Sequence, residues 1–513
     1  MDILEISYQD TNFFSKLILD YLSEDIKLSP FVSCFPSLDN LGEQILKKQA
    51  HTVDRKSLVQ VLKEQNSDYV ISNKTQDNID SLLSKNTFTV TTGHQLCLFT
   101  GPLYFIYKII STINLVEQLQ KKYPNNSFVP IFWMASEDHD LEEINHIHLF
   151  GKKIVWNTDQ KGMVGKMNLS GLASVLDELE LSLGNSKNAK ELVSVFRDAY
   201  LKYNSLADAT RYLVNQLFGK FGLVVLDGND VSLKKSFIPV IEKDILQKGF
   251  QQSIKDCTSH LQKSYKKQVH IRERNFFKVS ENSRERINNI VHKKEIDNHP
   301  DSFSPNVFLR CLYQEMILPN IAYIGGGAEI AYWMQLKFVF EQENIPFPVL
   351  LLRNSVMLLD MKQNKRRKEL GLSLRDLFLE EDELERRFIL SKKELDISIN
   401  SEVKQIELAY KNLFKKITDA SLRASAISQF HKQKKVFKNL EKKLLKLEKM
   451  KHKASLKQIR KLKRNLFPNN DLQERILNFS SFYLTHGNSF IEIMKDNLNP
   501  LKPNFVVLAS KTD

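Results

Sequence analysis

Thr92-Gly93-His94-Gln95 sets a proton-active imidazole among glycine and small polar residues, just ahead of a helix-like pattern. Unpaired backbone N–H groups and the positive end of a helix dipole suit a phosphate or carboxylate at such a junction. The same residues would equally make a tight turn with a solvent-facing His. A second cluster runs Ser136-Glu137-Asp138-His139-Asp140, followed by Glu142, Glu143, Asn145, His146 and His148. The carboxylates of Asp138 and Asp140 suit a substrate amine or hydroxyl. Strand-end capping is the plainer alternative, and the donors also suit a metal. Their positions follow no recognised metal-site spacing, so no bound metal is expected. Gly325-Gly326-Gly327, leading into Glu329, Tyr332 and Trp333, permits close backbone approach to a ligand or a tight loop. Tyr332 and Trp333 read on their own as core. Upstream, Asn306 and Arg310 follow Ser304-Pro305, and Arg310 suits bidentate clamping of a carboxylate or phosphate.

These clusters need a frame, and the apolar runs between them supply one. Thr87 to Thr91 reads as a buried strand that enters the His94 loop. Thr100 and Gly101 then suit helix caps, Pro102 suits the first helical position, and Leu103, Ile106, Ile110 and Ile113 keep helical spacing. Phe128 to Met134 is almost continuously apolar, as a strand buried on both faces should be. Two such strands joined by a helix form the parallel crossover of a doubly wound sheet. Leu223 to Leu226 and Pro348 to Leu352 extend the sheet, the latter running into Arg353-Asn354-Ser355. In open parallel sheets ligands bind beyond the carboxyl ends of the strands, where the polar clusters fall. Residues 1 to about 85 read as mainly helical, and the polar stretches 158–210 and 250–300 read as insertions.

The chain changes character after Gly371, with neither Gly nor Pro from Leu372 to Phe467. Val403, Ile406, Tyr410, Leu413, Ile417, Ala420, Ala424 and Ile427 keep an unbroken three-four spacing, and a second seam starts at Phe430. The step from Ile427 to Phe430 breaks register, so a coiled-coil hairpin turning there is expected. The domains expected are therefore 1–370, a coiled coil over 372–467, and a terminal segment 468–513 packing back on the first.

Charge separates the same regions. The net charge of +13 equals the surplus of His431 to Arg464, which holds fifteen Lys or Arg against Glu441 and Glu448. A solvated coiled-coil face explains such a run; a polyphosphate or nucleotide ligand, or nucleic acid, would explain it too. No aromatic residues interleave for base stacking, so nucleic acid is not the expected partner. Met1 to Leu22 is too charged for a signal peptide, and no apolar run reaches the roughly 18 residues of a membrane span. Cys34, Cys97, Cys257 and Cys311 form no paired spacing, which suits a reducing cytoplasm.

Read together, the motifs carry a resemblance. Thr-Gly-His-Gln, Phe-Thr-Gly-Pro-Leu-Tyr, Glu-Asp-His-Asp with Asn145-His146, Ser-Pro-Asn-Val with Arg310, the 325–333 run, and Leu466-Phe467-Pro468 leading to Leu472-Gln473-Glu474-Arg475 all contribute. In that order they resemble the cysteine-adding ligase family of bacillithiol biosynthesis. The family typically shows Gly-Gly-Pro where this chain has Gly325-Gly326-Gly327, a departure that loosens the loop.

The resemblance implies an α/β fold with a Rossmann-like core, helical insertions and a C-terminal coiled coil that promotes a homodimer. It implies amide formation between the carboxyl of L-cysteine and the amine of glucosaminyl-malate, in the cytoplasm. His94, Asp138, His139 and Asp140 are then expected to be catalytic. Thr92, Gly93, Gln95, Asn145, His146, Asn306, Arg310, Gly325, Gly326, Glu329, Tyr332 and Trp333 are expected to bind substrate, with Arg310 on the malate carboxylates. Amide formation from a free carboxylate needs activation, and ATP is one activator that fits, although the identity of any cofactor stays open. By analogy with class I aminoacyl-tRNA synthetases, Arg353 and Ser355 fall near a nucleotide-binding signature, and neither usual signature is present. A scaffold protein using the basic coiled coil, and a nucleotidyltransferase with another substrate, are the rival readings.

Overall fold

The computed structural model describes residues 1–392 and 399–511. The chain divides into two compact units, Ser7–Val356 with Asp471–Val506, and Met1–Ile6 with Met357–Asn470 and Val507–Asp513. The larger unit is built on five parallel strands: β1 (Thr87–His94), β2 (Ser127–Met134), β3 (Val224–Asp227), β4 (Asn320–Gly325) and β5 (Val349–Leu352). Their spatial order is β5-β4-β1-β2-β3. Successive strands step outward from β1 to β2 and β3, and the chain then crosses back to β4 and β5. The order of strand addition therefore reverses between β1 and β4, and the connections leaving these two strands diverge to form a crevice beyond their carboxyl ends. Register places Thr92 beside Ile324 and Phe132, and His94 beside Met134.

Every residue of β1 is buried, and β2 is buried from Phe128 onward. A strand enclosed on both faces has no polar side to alternate with, so its sequence is a continuous apolar run. On one face Phe88, Val90, Phe128, Ile324 and Leu351 pack with Leu41, Ile45, Leu115 and Leu119 of flanking helices. Each such side chain stabilises the fold by about 1.5–3 kcal/mol on burial. Helix α1 (Tyr104–Lys122) joins β1 to β2 and is buried continuously from Phe105 to Val116. It begins two residues beyond Pro102, after a turn whose Phe99 and Thr100 have positive φ.

Helix α2 (Val307–Ile317) precedes β4, and helix α3 (Gly327–Met334) follows it directly. The stretch before α2 contains an antiparallel sheet of Phe276–Ser280, Ser283–Arg286 and Phe303–Pro305. Within the larger unit, the returning segment reaches α1 through Leu103 N–H donating to Leu477 O, at 2.8 Å.

In the smaller unit, strand residues 507–509 lie between residues 2–6 and 357–359 of a second sheet. The reading of residues 1–85 as mainly helical misses the strand Asp2–Ser7, because its partner lies some five hundred positions away in sequence. Helices α4 (Glu381–Ser391), α5 (Asn400–Lys416), α6 (Ala420–Lys451) and α7 (Lys453–Leu466) make up the rest of its long helical stretch. Positions 393–398 of the expected coiled coil lie outside the described residues. Helices α5 and α6 form an antiparallel hairpin, as Tyr410 and Phe414 both meet Phe430, with ring centroids 5.3 and 6.4 Å apart. The turn falls at Ile417-Thr418-Asp419 instead of at the register break between Ile427 and Phe430. Asp419 stops the first arm locally by capping the second, accepting Leu422 N–H at 2.8 Å. The break at 427–430 is absorbed inside α6. Among the described residues no helix is long and apolar enough to cross a membrane.

Candidate active site

A cavity of about 1220 Å³ opens at the carboxyl ends of β1, β2, β4 and β5. β1 delivers Gly93, His94 and Gln95 to it, and β2 delivers Glu137, Asp138 and Glu143 through the segment that follows Met134. The α2 end contributes Asn306 and Arg310, α3 contributes Gly326, Glu329 and Tyr332, and β5 contributes Arg353 and Ser355. Eleven of the residues expected to be catalytic or to bind substrate or nucleotide therefore meet in one space, from Gly93 to Ser355 along the chain.

The junction after β1 differs from a bare backbone cradle. Residues Leu96 to Gly101 are buried and do not line the cavity. The positive group at this point is Lys108, one helical turn beyond Tyr104 on α1. Its ammonium donates to Gly93 O at 2.5 Å and pairs with Glu329 at 2.7 Å. Glu329 also accepts from Tyr323 OH and from Gly326 N–H, each at 2.7 Å. One carboxylate thus ties the start of α3 to the floor of β1. Gly327 is already the first helical residue of α3, so this carboxylate, by capping Gly326 N–H, fixes the glycine loop at the start of that helix. Burial raises the Glu329 carboxyl, but Lys108 and the Gly326 N–H outweigh that and hold it below the usual range. Burial likewise pulls Lys108 below its ordinary value, with Glu329 opposing.

His94 is 8% exposed and lies 5.2 Å, centroid to centroid, from each of the rings of Tyr104 and Phe105. Burial, reinforced by Lys108, lowers its pKa to about 3, so the imidazole is neutral at physiological pH. Its Nδ1 lies 3.0 Å from Gln95 O. A carbonyl can only accept, so Nδ1 carries the proton and Nε2 keeps its lone pair. So low a value makes a feeble proton acceptor and a good neutral hydrogen-bond partner.

Gln95 donates to Asp138 at 2.8 Å and to Glu143 at 2.7 Å, which gathers two carboxylates at the mouth of β2. The other Asp138 oxygen accepts His139 N–H at 2.8 Å. Each oxygen keeps a free lone pair for an ammonium or its departing proton. Glu137 is spoken for by Lys234, at 2.5 Å. On the opposite charge side, the Arg310 guanidinium sits 6.0 and 5.9 Å from the Trp133 and Tyr323 ring centres. Asn306 caps α2 and is held by Asn275 at 2.9 Å.

Other expected residues stand elsewhere. Thr92 is fully buried and donates to Ile324 O at 2.7 Å, a link between β1 and β4. Gly325 is a β4 residue, where an added Cβ would meet the Tyr323 ring at 2.9 Å. Trp333 is fully buried against Tyr323, Phe340 and Phe347, in the core. Asp140 is exposed and away from the cavity wall, at the start of a one-turn helix. Asn145 and His146 lead into a separate hairpin, where His146 meets His148. His139 is half-exposed; its Nδ1 lies 2.9 Å from Arg284, which does line the cavity. Among the described residues no group of three His, Cys, Asp or Glu is placed to hold a metal ion.

Sequence reasoning passed over Lys108, although a lone charge inside a helix otherwise buried from Phe105 to Asn114 was its signal. It also passed over Arg272, Arg284 and Arg286, which reach the cavity from the insertion, and gave Tyr104, the last residue of a quoted motif, no role in the site. Nothing local distinguishes those arginines from solvated ones.

Residues 1–354 match the family model "Bacillithiol biosynthesis BshC, N-terminal Rossmann-like domain", and residues 356–510 match "Bacillithiol biosynthesis BshC, C-terminal coiled-coil domain". The chain is 46% identical to a protein of Christiangramia forsetii named "Putative cysteine ligase BshC", covering 98% of both. It is 44% identical to a protein of the same name from Flavobacterium johnsoniae, over 98% of this chain and 99% of the relative. A Bacillus mycoides protein, also so named, is 26% identical over 96% of this chain and 97% of its own length.

Proposed function

Because the chain belongs to the BshC family of bacillithiol biosynthesis, we propose that it is a ligase joining the carboxyl of L-cysteine to the amine of glucosaminyl-malate, the last step in making bacillithiol. The observation that carries this reading is the division of one cavity between carboxylates and guanidinium groups, at the crevice where the order of strand addition reverses. A zwitterionic substrate with an amine at one end and a dicarboxylate at the other has complementary charge.

Asp138 and Glu143, steered by Gln95, receive the glucosamine ammonium. Asp138 takes its proton, since attack on an acyl carbon requires the free amine lone pair. Neutral His94 accepts an N–H through Nε2 and orients the amine rather than deprotonating it. Arg310 pairs with the malate carboxylates. The cysteine carboxylate is a poor electrophile until its oxygen becomes a leaving group, and a phosphoryl donor such as ATP supplies that change. Lys108, Arg353 and Ser355 are the groups suited to the anionic part of such a donor.

Cells lacking this protein should accumulate glucosaminyl-malate and contain no bacillithiol by mass spectrometry of thiol-labelled extracts. Normal bacillithiol in those cells would refute the assignment. The four free cysteines accord with a cytoplasmic setting.

A homodimer through the coiled coil is part of the same proposal. Val436, Leu440, Leu447 and Met450 stand 48–66% exposed on α6. With Lys443 they repeat at alternating four and three residues, a heptad seam facing outward from its own hairpin. A second copy of that seam is the occupant such a pattern fits. The wild-type chain should run as a dimer in light scattering, and Leu440→Glu with Leu447→Glu should yield monomers. A wild-type monomer at micromolar concentration removes this part.

A further inference from the structure

The proposed reaction leaves unused one buried carboxylate that touches the site from far along the chain. Glu474, in the segment that returns to the larger unit, is fully buried, and its Oε1 lies 2.8 Å from Arg353. Its Oε2 accepts Val356 N–H at 2.8 Å, so the carboxylate is pinned at both oxygens. Arg353 is itself anchored, its N–H donating to Gly325 O at 2.9 Å and its guanidinium to Asn354 O and Ser355 Oγ at 3.0 and 3.2 Å. The guanidinium stands 5.0 Å over the Tyr104 ring and forms part of the cavity wall.

The same returning segment grips the other flank of the crevice. Asn478 donates to Phe99 O and Gly101 O at 2.8 and 2.6 Å, in the turn that starts α1. Neighbouring Arg475 lines the cavity and is held by Asp471 at 2.9 Å. A buried ion pair is a costly way to gain stability, since desolvating both charges offsets most of their attraction. Its geometric effect is different: a guanidinium held in one orientation loses little entropy when an anion arrives.

We propose that Glu474 is a positioning residue that presents Arg353 as a preset anion subsite, for a carboxylate or phosphoryl group of a substrate. This deepens the ligase reading and rests on it for the identity of the substrate, but not for the binding itself. The test uses the purified full-length chain and calorimetric titration with two separate probes, L-malate and inorganic pyrophosphate. These distinguish a carboxylate source from a phosphate source. The wild-type chain should bind at least one, and both Glu474→Gln and Arg353→Gln should weaken that probe about tenfold. The double variant should be no weaker than Arg353→Gln alone, because Glu474 acts only through Arg353. In turnover, Glu474→Gln should raise KM for the substrate bearing that anion while kcat stays within about twofold.

Binding of neither probe by the wild-type chain overturns the proposal. So does unchanged affinity in Glu474→Gln, or multiplying losses in the double variant. Should Glu474→Gln not fold, Glu474→Asp keeps the charge and withdraws it by one methylene; full affinity in that variant is equally fatal. Absence of amide product with these binding results intact would instead count against the ligase assignment alone.

Discussion

Lys108–Glu329 in the sheet unit and Lys434–Glu407 in the coiled-coil hairpin are the same pair of residue types at nearly the same separation, 2.7 and 2.6 Å. Their settings differ. The side chains are 4% and 22% exposed in the first and 36% and 34% in the second. Water screens the hairpin pair and solvates either partner when it is left alone. At the crevice both reliefs are weaker, least for the buried Lys108, and the two charges also hold Gly93, Gly326 and Tyr323 in place. Burial rather than distance decides which lysine is part of a site and which decorates a surface.

The largest effect expected from this contrast is on removal of the buried cation. Lys108→Met leaves Glu329 charged and unpaired, and should cost about 3–5 kcal/mol in urea unfolding. Adding Glu329→Gln should restore part of that loss. A Lys108→Met cost under about 1 kcal/mol would erase the distinction between the two regions.

An intermediate effect belongs to His94. Its folded pKa is about 3 against an ordinary 6.5, so the unfolded chain binds the extra proton throughout that interval. Stability should therefore fall as pH drops from 6.5 toward 3, and His94→Gln should remove that part of the slope. In NMR spectra the His94 ring should show no ionisation between pH 8 and 5. A midpoint near 6.5 would mean that the crevice is far wetter than its packing indicates. Turnover by His94→Gln should drop about a hundredfold if the imidazole orients the amine.

The smallest effect lies in the hairpin. Lys434→Ala should change thermal or urea stability by less than about 1 kcal/mol, and added salt should abolish even that. A loss comparable to that of Lys108→Met would show the hairpin pair to be shielded, for instance within a larger assembly.

Much of this architecture was legible locally. β2 and β5 are continuous apolar runs ended by polar clusters, and a strand buried on both faces has no other pattern available. His94, Asp138, Arg310 and Glu329 all fall in polar clusters beyond apolar runs, where ligands of parallel sheets bind, and the cavity holds all four. Legibility failed where a partner is distant. The strand Asp2–Ser7 pairs with Asn504–Ala509, and Glu474 reaches Arg353 across more than a hundred residues. It failed again at the hairpin, where heptad spacing runs unbroken through Ile417 while Asp419 caps a new helix. Apolar periodicity reports which face is buried and is silent on where the chain reverses.

By itself, then, the sequence determined the strand–helix–strand frame, the positions of the polar clusters at its ends, and the basic character of one helical arm. These follow from side-chain polarity and spacing within a few turns of chain. Only tertiary structure decided that Asp140, His146 and Trp333 stand apart from the cavity while Lys108, Arg284 and Glu474 serve it. Burial and partnership are properties of what surrounds a charge, and those surroundings come from segments that the local chain does not contain.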